Sequence, residues 1–115
     1  MKKLVDSFKF AFQGILYSFN TQRNIRIHFF IAIIVLILGI YVRLSHIEWI
    51  LLLLTISIVV TSEMINTSIE KTIDLVTEEY KILAKIGKDV AAGAVLISSI
   101  LSVIIGVLIF YNKIF

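Results

Sequence analysis

Apolar and polar positions follow one another along this chain in a pattern that predicts four helices. From Lys3 to Phe19, Leu4, Val5, Phe8, Phe12, Ile15, Leu16 and Phe19 recur at helical spacing, while Lys9 and Gln13 fall elsewhere around the wheel. That spacing predicts an amphipathic helix over about 3–19, lying in a membrane interface or packed on protein. Asn20–Asn24 is a polar break, and the apolar run after it predicts a first span over about 25–42. Arg26 and His28 fall at its interfacial end. A tight outer connection, "RLSH", follows, flanked by Tyr41 and Trp49 as interfacial anchors.

The second span is predicted over about 47–65, but helix-forming residues continue to Tyr80 without Gly or Pro. A helix of roughly 30 residues is about 45 Å long, against a hydrocarbon core of about 30 Å. Its far end is therefore expected to project into the cytoplasm. A polar turn, Glu78–Asp89, is expected to lead into a third span over about 90–111. Gly93, Ala94, Ser98, Ser99, Ser102 and Gly106 give that span small residues suited to close helix packing. The fold class expected is an all-α membrane protein, with one interfacial helix and three transmembrane helices in a single domain.

Composition agrees with that reading. The 115 residues are 59% hydrophobic and 17% charged, where a soluble domain keeps about a quarter charged. Cysteine is absent, which excludes disulfides and thiolate metal sites. Positive charge clusters before the first span (Lys2, Lys3, Lys9, Arg23, Arg26) and between the second and third (Lys71, Lys81, Lys85, Lys88). The positive-inside rule then places the N-terminus and the second connection in the cytoplasm. "MKKLVDSFKFAFQG" has no continuous apolar stretch of the kind a cleavable signal peptide needs. The expected location is the inner membrane of a bacterium, crossed several times.

The chemistry is concentrated where the second span leaves the membrane. Glu63, Asn66, Glu70 and Asp74 are spaced i, i+3, i+7 and i+11, and so share one narrow stripe of a helix. A carboxylate at hydrocarbon depth costs several kcal/mol or takes up a proton, so Glu63 at the deep end is expected to have a purpose. A base suited to deprotonating a hydroxyl fits there. Glu70, better hydrated, suits Mg²⁺, which takes one or two carboxylates together with phosphate oxygens. Asn66 lies between them and both donates and accepts. Asp74 reads more simply as a solvated helix end or a contact between helices. Lys88 and Asp89 open the predicted third span at the same level. Lys88 suits a phosphate or an interfacial anchor, and Asp89 suits a helix N-cap. In "TQRNIRIHF", Arg23, Arg26 and His28 suit lipid headgroups, and His28 alone is a weak metal candidate. Neither the Walker-type glycine loop nor the kinase GxGxxG occurs.

At "EMINTSIEKTID" the chain closely resembles the small bacterial integral-membrane diacylglycerol kinases, whose second span carries E-x-x-N-[ST]-x-I-E-x-x-x-D. The similarity runs from about Phe8 to Tyr111 and includes "RNIRIHF" and "AKIGKDVAAGAVL". These versions look most like the Gram-positive branch, whose members often phosphorylate undecaprenol rather than diacylglycerol. The resemblance implies a homotrimer with sites at subunit interfaces near the cytoplasmic surface, and transfer of the ATP γ-phosphoryl to a lipid hydroxyl with Mg²⁺. It implies Glu63 as catalytic base, Glu70 as metal ligand and Asn66 as an active-site polar residue. Lys88, Asp89 and Glu79 would contact the nucleotide, and Trp49 would lie near the lipid groove. Where the family commonly has a second metal-ligating glutamate before the first span, this chain has Gln22, whose carbonyl can ligate but brings no charge. Phosphoryl transfer is mostly positioning and charge neutralisation, so this small set of groups can suffice.

Two other classes compete. A small proton-coupled transporter would also carry an intramembrane Glu, though Glu63 lies at the end of a span. A non-catalytic membrane scaffold explains the hydrophobicity but not the stripe. Three spans are also expected to be too few to bury the stripe within one subunit.

Overall fold

A computed structural model describes all 115 residues, and they form four helices in chain order: α1 (Lys2–Thr21), α2 (Arg23–Tyr41), α3 (His46–Val76) and α4 (Ile82–Ile114). The last three are each long and apolar enough to cross a membrane. α1 has its apolar side chains exposed, Phe8 and Phe12 among them, as an interfacial helix requires.

Local chemistry sets each corner. α1 and α2 meet at a single extended residue, Gln22, whose N–H donates to the Ser18 carbonyl at 2.9 Å. Arg26 reaches back from the first turn of α2, and its Nη1 donates to the carbonyls of Phe19 and Asn20, each at 3.0 Å. These are orphan acceptors at the negative end of a helix, so a guanidinium both satisfies them and complements the dipole. Ile25, 1% exposed, fills the inside of the corner.

On the outer side, Arg43 adopts the left-handed conformation (φ 59°) in the turn between α2 and α3. Ser45 then starts α3 with a reciprocal cap: its Oγ accepts from the Glu48 N–H, and Glu48 Oε1 accepts from the Ser45 N–H. Glu48 also pairs with Lys113 Nζ at 3.0 Å, tying the start of α3 to the end of α4. Beneath lies a buried cluster of Leu44, Leu52 and Ile109, with Trp49 half-buried beside it. Gly39 makes this end close: a Cβ there would stand 2.9 Å from both Leu44 Cδ1 and Trp49 Cη2.

α3 and α4 form the main pairing. Ser62 and Ser98 hydrogen-bond across it at 3.0 Å, where a lipid-embedded seam gains from polar contacts. The connection between them is only Thr77–Lys81, not the longer polar turn over Glu78–Asp89 that the charge pattern suggests. α4 begins at Ile82, so Lys88 and Asp89 lie inside it and Asp89 is not its N-cap; Lys81 holds that position. The reason is that a helix need not stop where its apolar run stops. No Pro interrupts the segment, and Lys85–Asp89 forms an i,i+4 pair along it.

Gly39→Val tests the packing at the outer end. The added bulk is expected to cost about 1–3 kcal/mol through displacement of Leu44 and Trp49. Unfolding in detergent micelles reads this as a lowered midpoint. An unchanged midpoint would show that the two side chains re-seat freely.

Candidate active site

The deep end of the acidic stripe is covered by its own chain. Glu63 is 3% exposed and Thr67 6%, and a cavity of about 400 Å³ opens against Glu63 and Asn66. α2 supplies Asn24, Ile27 and His28 to its wall, and α4 supplies Val95 and Ser99 among others. Within one subunit the three spans bury Glu63 alone of the stripe: Asn66 and Glu70 are half-buried and Asp74 is exposed. The buried Ala91 and the cavity-lining Ala92 give α4 small side chains at this level, which favours a close approach to the carboxyl.

The polar atoms inside are incompletely satisfied. Asn66 Nδ2 donates to Glu70 Oε1 at 3.2 Å, and Thr67 Oγ1 donates to the Glu63 carbonyl at 3.0 Å. Glu63 Oε2 and Asn66 Oδ1 are buried with no hydrogen-bond partner. A buried acceptor without a donor costs about 1–3 kcal/mol, and native structures hold few of them. Two side by side make a place that calls for a hydroxyl donor or a cation.

A second cavity, of about 310 Å³, lies further along in the direction of the α3–α4 connection and is lined by Glu79, Lys81, Lys85, Lys88 and Asp89 among others. Its charges are paired: Lys88 with Asp74 at 2.5 Å, Lys85 with Asp89 at 2.5 Å and Lys81 with Glu79 at 3.4 Å. Lys88 lies outside the apolar run that begins at Val90. The hydrogen bond to Asp74 holds its ammonium above the ordinary lysine range, against partial desolvation, and the charges of Asp74 and Glu70 add to the effect. A third, apolar groove of about 100 Å³ runs outward among α2, α3 and α4, past Ala32, Val59 and Gly106 to Leu52. His28 lines both this groove and the chamber of Glu63.

Glu63 and Asn66 thus share the first cavity, while Glu79, Lys88 and Asp89 share the second. Glu70 and Asp74 bridge them along α3, by the hydrogen bond to Asn66 and the pair with Lys88. Gln22 lines neither cavity; it sits at the α1–α2 corner, where its Nε2 donates to Thr21 Oγ1 at 3.5 Å. Trp49 also lines neither, and stands about 21 Å from Glu63 along α3 at 1.5 Å per residue. Asn24 and Ser99 lie outside the acidic stripe yet line the chamber. The i,i+4 spacing of Asn24 and His28, one polar face at the start of an apolar span, is the signal that points to Asn24; Ser99 carries no such signal.

The oxygen-rich donor set around Asn66 and Glu70 suits a hard divalent cation such as Mg²⁺. No three Asp, Glu or His side chains converge on one point, so the chain's own ligands would leave positions for phosphate oxygens and water.

The family model for prokaryotic diacylglycerol kinase matches residues 9–110. The undecaprenol kinase of Bacillus subtilis is 43% identical over 98% of this chain and 92% of its own length. The diacylglycerol kinase of Synechocystis is 44% identical over 90% of this chain and 59% of its own length. That of Helicobacter pylori is 32% identical over 86% of this chain and 77% of its own.

If the Glu63 carboxyl is an unsatisfied buried acid, Glu63→Leu relieves it. The variant is expected to unfold at a higher midpoint in detergent, by about 1–3 kcal/mol. A lower midpoint would mean that the carboxyl stabilises the chamber.

Proposed function

Because the chain belongs to the prokaryotic diacylglycerol kinase family, we propose that it is a multi-pass membrane lipid kinase that transfers the ATP γ-phosphoryl group to the hydroxyl of a lipid alcohol held at Glu63. One observation carries the assignment of the site. Glu63 offers a buried, unpartnered carboxylate oxygen in a chamber that shares His28 with an apolar groove, and a lysine-lined cavity lies further back along α4. A lipid hydroxyl reaches Glu63 from the groove, and phosphates approach from the cavity.

The acceptor hydroxyl donates to Glu63 Oε2, which takes its proton as the oxygen attacks the γ-phosphorus. The bond to the β-phosphate oxygen breaks, and lipid phosphate and ADP leave. Lys88 neutralises phosphate charge, with Asp89 and Glu79 contacting the nucleotide from the same cavity. Asn66 and Glu70 would hold Mg²⁺, with Gln22 a further candidate ligand or nucleotide contact; the ion when bound would neutralise charge on the phosphate oxygens. Asp74 lies at the polar rim of the site.

Undecaprenol is the favoured acceptor over diacylglycerol. The Bacillus relative matched over nearly its whole length is named for it. Trp49, at the outer end, would contact the chain's more distant part. The charge distribution supports a cytoplasmic N-terminus, and the family supports a bacterial inner membrane as its place. Assembly as a homotrimer, with sites between subunits, is supported by the family and by the incomplete ligand set of one chain.

Purified protein in mixed micelles, given radiolabelled ATP and Mg²⁺, is expected to label undecaprenol in preference to diacylglycerol. A chelator is expected to abolish the transfer, and Mg²⁺ to restore it. No label in either lipid from folded protein would refute the reading, and preference for diacylglycerol would refute the acceptor.

A further inference from the structure

Asp74 and Lys88 face each other across the α3–α4 seam, fourteen residues apart in sequence, with Lys88 Nζ donating to Asp74 Oδ1 at 2.5 Å. The backbones are brought together beside them: a Cβ on Gly87 would stand 3.1 Å from Ile73 Cδ1. Both charged side chains are substantially exposed, 39% for Lys88 and 45% for Asp74. A pair so exposed adds little to stability, too little for its geometry to be explained by holding two long helices together. Its consequence is directional. A lysine ammonium rides on a flexible four-carbon stem that samples many rotamers when free. Asp74 fixes that stem on the face of α3 that also carries Glu63, Asn66 and Glu70. The field of Glu70 reaches the same ammonium.

We propose that Asp74 is a positioning residue that acts through Lys88. It holds the ammonium over the acidic stripe before nucleotide arrives, so that a phosphate group meets a cation already aimed. The inference rests on the kinase reading above and adds a role for a residue that the spacing alone reads as a solvated helix end. Asp74 touches neither the acceptor nor the transferred group. Its removal therefore weakens the encounter with phosphate and leaves the lipid side of the site alone.

The test measures the dissociation constant for MgATP in acceptor-free micelles, the KM of each substrate and the unfolding midpoint. Asp74→Asn is expected to weaken MgATP binding and raise the ATP KM about tenfold, with acceptor KM and midpoint unchanged. Asp74→Glu, which keeps the charge one methylene further out, is expected to recover most of the loss. In a Lys88→Met background, Asp74→Asn is expected to have no further effect on the MgATP constant, because the residue through which it acts is gone. An Asp74→Asn effect that persists undiminished in that background would overturn the proposal. So would a lowered midpoint with both KM values moved together, or no change in MgATP binding. Label transfer by the wild-type protein, run alongside, isolates the outcome: its absence refutes the kinase reading, whereas its presence leaves the variants to decide on Asp74.

Discussion

One carboxyl group buried where three helices meet governs this molecule. Glu63 is covered by α2 and α4, and one of its oxygens has no donor within the chain. Such a group destabilises a fold unless something else compensates, and the compensation is visible around it. Arg26 and Ile25 fix the corner that brings the first turns of α2 over the chamber. Small side chains at Ala91 and Ala92 favour the approach of α4 from the other side. The serine pair Ser62–Ser98 locks the seam one helical turn from the opening. At the far end, the capping box and the Glu48–Lys113 pair hold the outer termini in register.

Helix length turns that buried acid into a site that joins two phases. α3 has 31 residues and α4 has 33, both longer than a bilayer core of about 30 Å requires. The surplus carries Glu70 and Asp74 several residues past Glu63 on the same face of α3, with Lys88 facing Asp74 from α4. On the proposed reading, an oil-soluble acceptor and a water-soluble donor would meet along that face. The charge pairs in the outer cavity would then hold lysines already oriented by acids.

The stripe was legible because helical periodicity is a local property, and α3 carries no Gly or Pro to disturb it. The corner at Gln22 and the turn after Tyr41 fell close to their polar signals for the same reason. The start of α4 was not legible, since charge marks the edge of the membrane and not the end of a helix; Lys88 and Asp89 lie a turn and more inside α4. Nor did composition show that one chain covers Glu63, because coverage depends on how closely α4 approaches, which no count of spans predicts. The position of His28 between groove and chamber is likewise a product of three helices meeting. Trp49 shows the converse: an aromatic near a membrane boundary packs on Gly39 at the opposite end from the acid.

If Glu63 takes the proton of the attacking hydroxyl, losing its carboxylate must slow the transfer step itself, which single-turnover kinetics isolate. With Mg²⁺, ATP and undecaprenol all saturating, rapid quenching compares the transfer step of the wild-type protein with that of Glu63→Gln. A positioned general base contributes about 10²–10⁴-fold, so the account predicts a loss of that size with both substrates still bound. A transfer rate within a few-fold of wild type would contradict it and move the base elsewhere in the chamber.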